Sequence, residues 1–168
     1  YTDDQKALKD EARRFLAAIA PLSLVRAVLE DVTGDQTRAL WARIAEQGWC
    51  GAAIPESYGG LGLGHVELCA LAEEIGRALV PVPFASSIYL FAEALLLAGS
   101  DDQKQAVLPA IASGTAIGTL AIAERPAALT AASIESRVVD GRLTGTKLPV
   151  TDGGLADRAV VLAQGDGE

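Results

Sequence analysis

The sequence has few of the side chains that build metal sites. Its 168 residues include one histidine, His65, and two cysteines, Cys50 and Cys69, and neither cysteine belongs to a C-x-x-C or Cys/His cluster. Zinc sites need clustered nitrogen and sulfur ligands. We therefore expect no metal site, two reduced cysteines that act as small core residues, and a histidine at the surface or at a helix end.

Positive charge and long apolar runs are also scarce. Fourteen basic residues against 22 acidic residues give a net charge of −8, which argues against a nucleic-acid partner because phosphate backbones are repelled. The longest apolar stretch, residues 84–99, contains Glu93 and is shorter than the roughly 20 residues of a membrane span. No charged-then-apolar leader opens the sequence, so we expect a cytoplasmic protein without a membrane span.

Apolar residues recur at helical spacing through the first two thirds of the sequence. Thr2 with Gln5 and Ser100 with Gln103 are capping boxes, which mark helix starts. The pattern predicts six helices before Gly114, with a fixed, glycine-rich loop over residues 49–64. The predicted core residues, which should be buried together, are Ile44, Leu71, Ile75, Leu95 and Leu96.

The composition changes after Gly114, where threonine, valine and isoleucine become frequent. Asp140-Gly141 is a strong hairpin signal and predicts a returning strand over Arg142–Leu148, with a further, more buried strand over Ala159–Ala163. Helices followed by strands predict a segregated α+β fold. We expect an all-helical N-terminal domain over residues 1–114 and the start of an antiparallel β domain over residues 115–168.

Two carboxylate pairs and a glycine run have the composition of functional motifs without their geometry. Gly60-x-Gly62-x-Gly64 follows no strand and lacks the spacing of a dinucleotide-binding loop, so we interpret it as structural. Adjacent helix residues point in different directions. Glu73-Glu74 and Asp101-Asp102 are therefore interpreted as solvated groups that compensate helix dipoles, and not as acid/base pairs.

Three separated segments resemble a known family in order and spacing. They are residues 40–64 (LWARIAEQGWCGAAIPESYGGLGLG), residues 71–79 (LAEEIGRAL) and residues 95–114 (LLLAGSDDQKQAVLPAIASG), which resemble the N-terminal helical domain of acyl-CoA dehydrogenases. Residues 144–163 resemble the start of that family's β domain. The resemblance covers nearly all of the sequence and implies a FAD-dependent flavoprotein of lipid metabolism, acting in fatty acid or steroid degradation.

The resemblance also implies a reaction and its participants. Acyl-CoA dehydrogenases desaturate an acyl-CoA thioester: a carboxylate removes the α proton while a hydride passes from Cβ to flavin N5. In this family the carboxylate belongs to a C-terminal helical domain, which these 168 residues do not include. No catalytic residue is therefore assigned here. The implied partners are an acyl-CoA substrate, another acyl-CoA dehydrogenase subunit in a homo- or hetero-oligomer, and an electron-transfer flavoprotein as a candidate electron acceptor.

The first flavin-facing motif of the family is only partly present. Family members carry Thr-Glu-Pro-x-x-Gly-Ser-Asp, in which the threonine hydrogen-bonds the flavin and the serine approaches the cofactor and the CoA. Aligned on Glu124, this sequence has Ala123 at the threonine position and Leu129-Thr130 at the Ser-Asp positions. The residues of this segment that the resemblance assigns to FAD are Leu120, Ile122 and Ala123, and those that it assigns to the substrate are Leu129 and Thr130.

The second motif, commonly Lys-x-Trp-Ile-Thr-Asn-Gly, is also altered. Here it begins at Lys147, has Pro149 at the tryptophan position and keeps Thr151. Pro149 and Thr151 are the predicted cofactor contacts of this segment; the alternative for Thr151 is a threonine chosen for β propensity. The family's acyl pocket is partly lined by the fifth helix, which predicts substrate contacts at Ser87 and Leu90. Small serines there suggest a bulky acyl group or, equally, close helix packing.

Three functions are consistent with this sequence. The first is a degenerate subunit of a heteromeric acyl-CoA dehydrogenase, with a flavin site completed by a partner subunit; some bacterial members that act on bulky acyl-CoAs such as sterol side chains are similar assemblies. The second is a self-sufficient acyl-CoA dehydrogenase with a variant flavin pocket. The third, of another class, is a catalytically inactive scaffold or binding protein.

Overall fold

Helices fill the first part of the chain and strands the second. The computed structural model describes residues 1–31, 33–124 and 130–165. The helices are α1 (Asp3–Ile19), α2 (Leu22–Val28), α3 (Asp35–Ala45), α4 (His65–Arg77), a π-helical segment (Ala85–Ala92) that continues into α5 (Glu93–Ala98), and α6 (Asp101–Ala112). The strands are β1 (Gly118–Ala121), β2 (Arg137–Val139), β3 (Arg142–Thr144), β4 (Arg158–Val161) and β5 (Gln164–Gly165). The predicted order of helices before strands is confirmed. None of the described helices is long and apolar enough to cross a bilayer.

Both predicted capping boxes are present. The Thr2 hydroxyl accepts from Gln5 N at 3.2 Å, and Thr2 N donates to the Gln5 side chain at 2.8 Å. Ser100 and Gln103 repeat this exchange at the start of α6. Asp101-Asp102 occupies the first turn of α6, where negative charge compensates the helix dipole as predicted.

Glu74 contradicts the interpretation of Glu73-Glu74 as a solvated pair. It lies near the C-terminal end of α4, and its side chain is fully buried. Arg13 of α1 donates to both of its carboxylate oxygens, at 2.8 and 3.0 Å, and Arg77 lies at 3.1 Å. Arg13 lowers the pKa of Glu74. The packing of α1 on α4 therefore buries this ionised carboxylate and pairs its charge with arginine. Glu73 stays near the surface beside Tyr1.

The helices share one apolar core. Ile44, Leu71, Ile75 and Leu95 are buried in one cluster and Leu96 packs against it, which confirms the predicted core. The indole of Trp41 donates to the Gly114 carbonyl at 2.8 Å and fixes the end of the helical part.

The two cysteines have different environments. Burial raises the pKa of Cys50 to about 12, as expected for a core thiol. Cys69 is exposed, so its assignment to the core was wrong. It lies on the face of α4 that also exposes Glu73 and Gly76, one turn and two turns further along, whereas its neighbours Leu68 and Ala70 are buried.

The predicted fifth helix is π-helical over its first half. Residues 85–92 have this wider geometry and continue without a break into α5. Single π turns inside α-helices are frequent at functional sites. Hydrophobic periodicity predicts a helix here but does not distinguish the two geometries over so short a segment.

The strands pair in both directions. The β2–β3 hairpin is antiparallel, and Asp140 (φ 50°) and Gly141 (φ 72°) adopt the left-handed conformations of its predicted turn. The β1–β4 and β2–β5 pairs are parallel, so the expectation of antiparallel strands holds for the hairpin alone. The β2–β3 hairpin lies between β1 and β4 in sequence, and β4 then runs beside β1 in the same direction.

Two strands are shorter than predicted. β3 ends at Thr144 and does not reach Leu148, because Lys147 and Leu148 donate instead to the Ile122 and Ala123 carbonyls that follow β1. β4 covers Arg158–Val161 instead of Ala159–Ala163. Its last two residues are half-buried, so it is more buried than the hairpin strands β2 and β3, as predicted. Among the described strands, β1 alone pairs with β4.

We predict that Ile44→Ala lowers the free energy of unfolding by about 2–5 kcal/mol, because Ile44 is completely buried and the deletion leaves a cavity. Leu29→Ala is the control, since Leu29 is 84% exposed at the end of α2 and its truncation should change stability by about 0.5 kcal/mol or less. Urea denaturation of both variants gives the measurement. Equal losses for the two variants would contradict the assigned core.

Candidate functional site

The approach of β1 to the π-helical segment positions the candidate site. A Cβ atom on Gly118 would lie 2.2 Å from the Phe91 ring, so only glycine allows β1 this close to the helix. Gly118 N donates to the Ser87 hydroxyl at 3.0 Å. This bond joins the first strand directly to the helical part of the chain.

The turn after Pro149 packs against the same place. The Ser86 hydroxyl donates to the Asp152 carboxylate at 2.6 Å, and the Thr119 hydroxyl donates to the Thr151 carbonyl at 2.6 Å. The helix, the strand and the turn therefore meet in one hydrogen-bonded cluster. We call this cluster the junction, and it consists of Ser86, Ser87, Gly118, Thr119, Thr151 and Asp152.

The two altered motifs lie side by side. Leu148 N donates to the Ala123 carbonyl at 2.7 Å. One residue away on each side, the Lys147 ammonium lies 2.6 Å from a Glu124 oxygen and 3.1 Å from the Ile122 carbonyl. The structure thus brings Ile122 and Ala123 of the first motif next to the segment that carries Pro149 and Thr151.

A buried ion pair holds these motifs. The side chains of Glu124 and Lys147 are each 7% exposed. Glu124 also accepts hydrogen bonds from Ser136 N at 2.8 Å and from Glu135 N. Hydrogen bonding from Lys147, supported by Ser136 and Glu135, lowers the pKa of Glu124 from its ordinary value of 4.5 to about 2. Glu124 is therefore ionised across the physiological range.

None of the residues predicted to contact FAD is fully buried. Leu120, Ile122 and Ala123 are half-buried, and Pro149 and Thr151 are exposed. Together they supply aliphatic groups and the Thr151 hydroxyl, but Ala123 supplies no hydroxyl and Pro149 supplies neither an aromatic ring nor an N–H donor. Aliphatic groups and one hydroxyl are chemically compatible with one side of a flavin ring. They do not reproduce the polar and aromatic contacts of the family motifs.

The residues predicted to contact the substrate do not form one group. Ser87 is fully buried and its hydroxyl accepts from Gly118 N, so the structure gives it a structural role and the assignment to the substrate was wrong. Ser86 is equally buried, which removes the inference of a bulky substrate from small serines. Leu90 is 41% exposed on the π-helical segment. Thr130 begins a short turn bonded to β5 through Ala131, and Leu129 lies outside the described residues.

A cavity of about 430 Å³ lies on the other side of β1 from Leu120. Thr119 and Ala121 line it from β1, and Lys147 and Val150 line it from the second motif. Successive residues of a strand point to opposite faces, so Leu120 does not face this cavity. The residues predicted to contact FAD therefore do not all face this cavity.

Sequence reasoning missed the roles of three polar side chains of the junction. Ser86, Thr119 and Asp152 are polar residues in apolar or turn segments, and their hydroxyl and carboxylate groups bond across 66 and 32 residues of sequence. No local pattern predicts such contacts. For Asp152, its place in the second motif was the available signal.

The helical part of the chain matches a known protein family. The family model of the acyl-CoA dehydrogenase N-terminal domain matches residues 2–115. The chain belongs to the acyl-CoA dehydrogenase family. It is 34% identical to the mitochondrial isovaleryl-CoA dehydrogenase of Solanum tuberosum over 99% of its own length, and it spans 42% of the length of that enzyme.

Solved structures of this family share the fold. A variant of the Tcur3481-Tcur3483 steroid acyl-CoA dehydrogenase matches with a TM-score of 0.82 and 31% identity, covering 98% of this chain and 45% of that one. The ChsE4-ChsE5 complex of Mycobacterium tuberculosis matches with a TM-score of 0.84 and 28% identity, covering 99% and 45%. An acyl-CoA dehydrogenase of Bacillus anthracis complexed with FAD matches with a TM-score of 0.86 and 26% identity, covering 100% and 30%.

The ion pair predicts a specific pH dependence. A carboxylate with a lowered pKa stabilises the folded protein above its ordinary pKa, and this contribution is lost as the pH falls toward the lowered value. For Glu124 this window runs from 4.5 down to about 2. The stability difference between the parent and Glu124→Gln should therefore shrink across this window.

The measurement is urea unfolding of both proteins between about pH 6 and pH 2. Because the other carboxylates are common to both proteins, their effects cancel in the difference. Lys147→Met removes the main cause of the lowered pKa and should reduce the same pH-dependent difference. A difference that stays constant down to pH 2 would contradict an ionised, paired Glu124.

Proposed function

We propose that this chain is a subunit of a FAD-dependent acyl-CoA dehydrogenase and that its flavin-facing surface is completed by a partner subunit. One observation carries the proposal. The framework of contacts that holds the two motifs is present, whereas two side chains at their flavin-facing positions lack the hydroxyl group and the aromatic ring that the family has there. The Glu124–Lys147 pair and the Leu148–Ala123 hydrogen bond form that framework. These two side chains are Ala123, which lacks the hydroxyl, and Pro149, which lacks the aromatic ring.

The changes at Ala123 and Pro149 should weaken the binding of FAD by this chain alone. Loss of one hydrogen bond in a buried site costs about 1–3 kcal/mol, which is roughly 5- to 150-fold in a dissociation constant. Loss of an aromatic face at Pro149 removes further contact area. A partner that covers this surface could supply both a donor and apolar contacts.

The role of the chain in the reaction follows from its position in the family fold. Bound FAD supplies the hydride acceptor for the desaturation of an acyl-CoA thioester. The residues of this chain hold one side of the cofactor, through Thr151 and the exposed ends of the two motifs, and exclude water from that side. The carboxylate base is assigned to the family's C-terminal helical domain.

Two neighbours support the partner and the substrate class. The ChsE4-ChsE5 structure is a complex of two named proteins, and the Tcur3481-Tcur3483 structure is a steroid acyl-CoA dehydrogenase. We infer a heteromeric assembly and an acyl-CoA substrate with a bulky acyl group. An electron-transfer flavoprotein is the electron acceptor that fits this class of enzyme.

A second candidate function rests on Thr151. Its side chain is exposed at the retained threonine position of the second motif. A flavin held by this hydroxyl and by backbone N–H groups would need no partner. The chain would then belong to a self-sufficient acyl-CoA dehydrogenase with a variant pocket.

The test restores the missing hydroxyl in the complete protein. We predict that Ala123→Thr raises the FAD occupancy of the protein purified without a partner, with a gain of up to about 1–3 kcal/mol in binding. Ala123→Val is the matched control because valine has the shape of threonine without the hydroxyl. Flavin absorbance per subunit after gel filtration measures the occupancy.

The parent protein distinguishes the three functions in the same experiment. A degenerate subunit holds little FAD alone and gains it when co-expressed with its partner. A parent that alone holds one FAD per subunit would overturn the proposal in favour of the self-sufficient enzyme. A protein that is colourless in every combination would be a scaffold.

A further inference from the structure

We propose that Glu124 and Lys147 are positioning residues of the flavin site, which set the separation of its two motifs without contacting the cofactor. This inference rests on the proposed function, because it assumes that FAD lies at the ends of these motifs. It adds a role for two residues that lie behind the exposed surface. Each side chain is 7% exposed, so neither presents its charge to a ligand at that surface.

The pair connects three separate segments of the chain. Glu124 follows the first motif's Ala123 directly, and Lys147 precedes Pro149 by two residues. The Lys147 ammonium bridges the Glu124 carboxylate at 2.6 Å and the Ile122 carbonyl at 3.1 Å. The carboxylate also accepts from Ser136 N at the entry to β2. These bonds fix the two motifs to each other and to the hairpin.

The geometry of this connection is restrictive. Apart from the Lys147 bonds, Leu148 N donates to the Ala123 carbonyl at 2.7 Å, and further back in β1 the Thr119 hydroxyl donates to the Thr151 carbonyl at 2.6 Å. At the Ala123 end of the contact, the Leu148 bond alone would let the two segments pivot about it. Glu124 and Lys147 are the sequence neighbours of Ala123 and Leu148, so their ion pair is a second contact beside that hydrogen bond. It fixes the relative orientation of the two segments, because hydrogen bonds between charged groups are short and directional.

A chemically similar pair elsewhere separates positioning from stability. Glu74 is fully buried and accepts from Arg13 at 2.8 and 3.0 Å, but it lies between α1 and α4. Removal of Glu124 leaves the buried Lys147 ammonium without its partner, whereas removal of Glu74 takes an acceptor from Arg13, which is 49% exposed; both changes destabilise the fold. Of these two pairs, only Glu124–Lys147 lies at the two motifs. Loss of Glu124 should therefore change flavin binding, whereas loss of Glu74 should change stability alone.

The experiment uses the complete protein purified with its co-purifying partner. The variants are Glu124→Gln and Lys147→Met, with Glu74→Gln as the matched control and Lys147→Arg as the variant that keeps the charge. Flavin-free protein is titrated with FAD, and the shape of the bound flavin absorbance band is recorded. Hydrogen exchange of the Leu148 amide reports on the contact between the motifs directly.

We expect Glu124→Gln and Lys147→Met to weaken FAD binding about 10- to 100-fold, because motifs that can move relative to each other no longer hold the ring in one position, and to shift the flavin band. Lys147→Arg should lie closer to the parent. Glu74→Gln should lower the melting temperature but leave the FAD titration, the band and the Leu148 exchange unchanged.

The outcomes separate this inference from the proposed function. Unchanged FAD binding and unchanged Leu148 exchange in Glu124→Gln would overturn the positioning role while leaving the proposed function intact. Equal effects of Glu74→Gln and Glu124→Gln on the flavin would also overturn it. If the parent assembly binds no FAD, the proposed function fails and the flavin role fails with it. Faster Leu148 exchange in Glu124→Gln alone would then still support the connection between the motifs.

Discussion

Close packing of β1 against the π-helical segment is the constraint on which the candidate site depends. Gly118 allows this approach because any side chain there would overlap the Phe91 ring. The approach places Ser87 under the backbone of β1 and Ser86 beside Asp152. Two small, buried hydroxyl groups thus connect the helices to a strand and a turn that are more than 30 residues away in sequence. The Ser87 hydroxyl satisfies the buried N–H group of Gly118, and the Ser86 hydroxyl binds the half-buried Asp152 carboxylate.

The ion pair of Glu124 and Lys147 fixes the flavin-facing motifs to each other, as the serine hydroxyl groups fix β1 and the turn to the helices. Its charges are almost fully removed from water, an arrangement that is favourable only when each charged group finds several partners. Glu124 has the Lys147 ammonium and two backbone N–H groups, and Lys147 has a carboxylate and a carbonyl. The contrast with Ala123 and Pro149 is informative. The chain keeps an arrangement that holds the motifs while it lacks the side chains with which the family's motifs contact the cofactor.

Sequence reasoning predicted the helical part well because its signals are local. Capping boxes at Thr2 and Ser100 mark helix starts with the groups that make the hydrogen bonds, and the hairpin at Asp140-Gly141 follows from the conformations these residues tolerate. The errors fall where distant contacts decide. Glu74 is buried because α1 brings Arg13 to it, and Ser87 is unavailable to substrate because β1 lies on it. Residue periodicity does not encode which strand lies beside β1 or in which direction it runs, so the parallel pairing of β1 with β4 was not predicted.

The central claim is that this chain forms one side of a flavin site that a partner subunit completes. A structure of the complete protein with its co-purified partner and FAD tests it most directly, through the atoms within hydrogen-bond distance of the isoalloxazine ring near Ala123 and Pro149. We predict that the Thr151 side of the ring lies on this chain and that a side chain of the partner occupies the space opposite Ala123 and Pro149. A ring contacted there only by residues of this chain, or bound away from both motifs, would contradict the account.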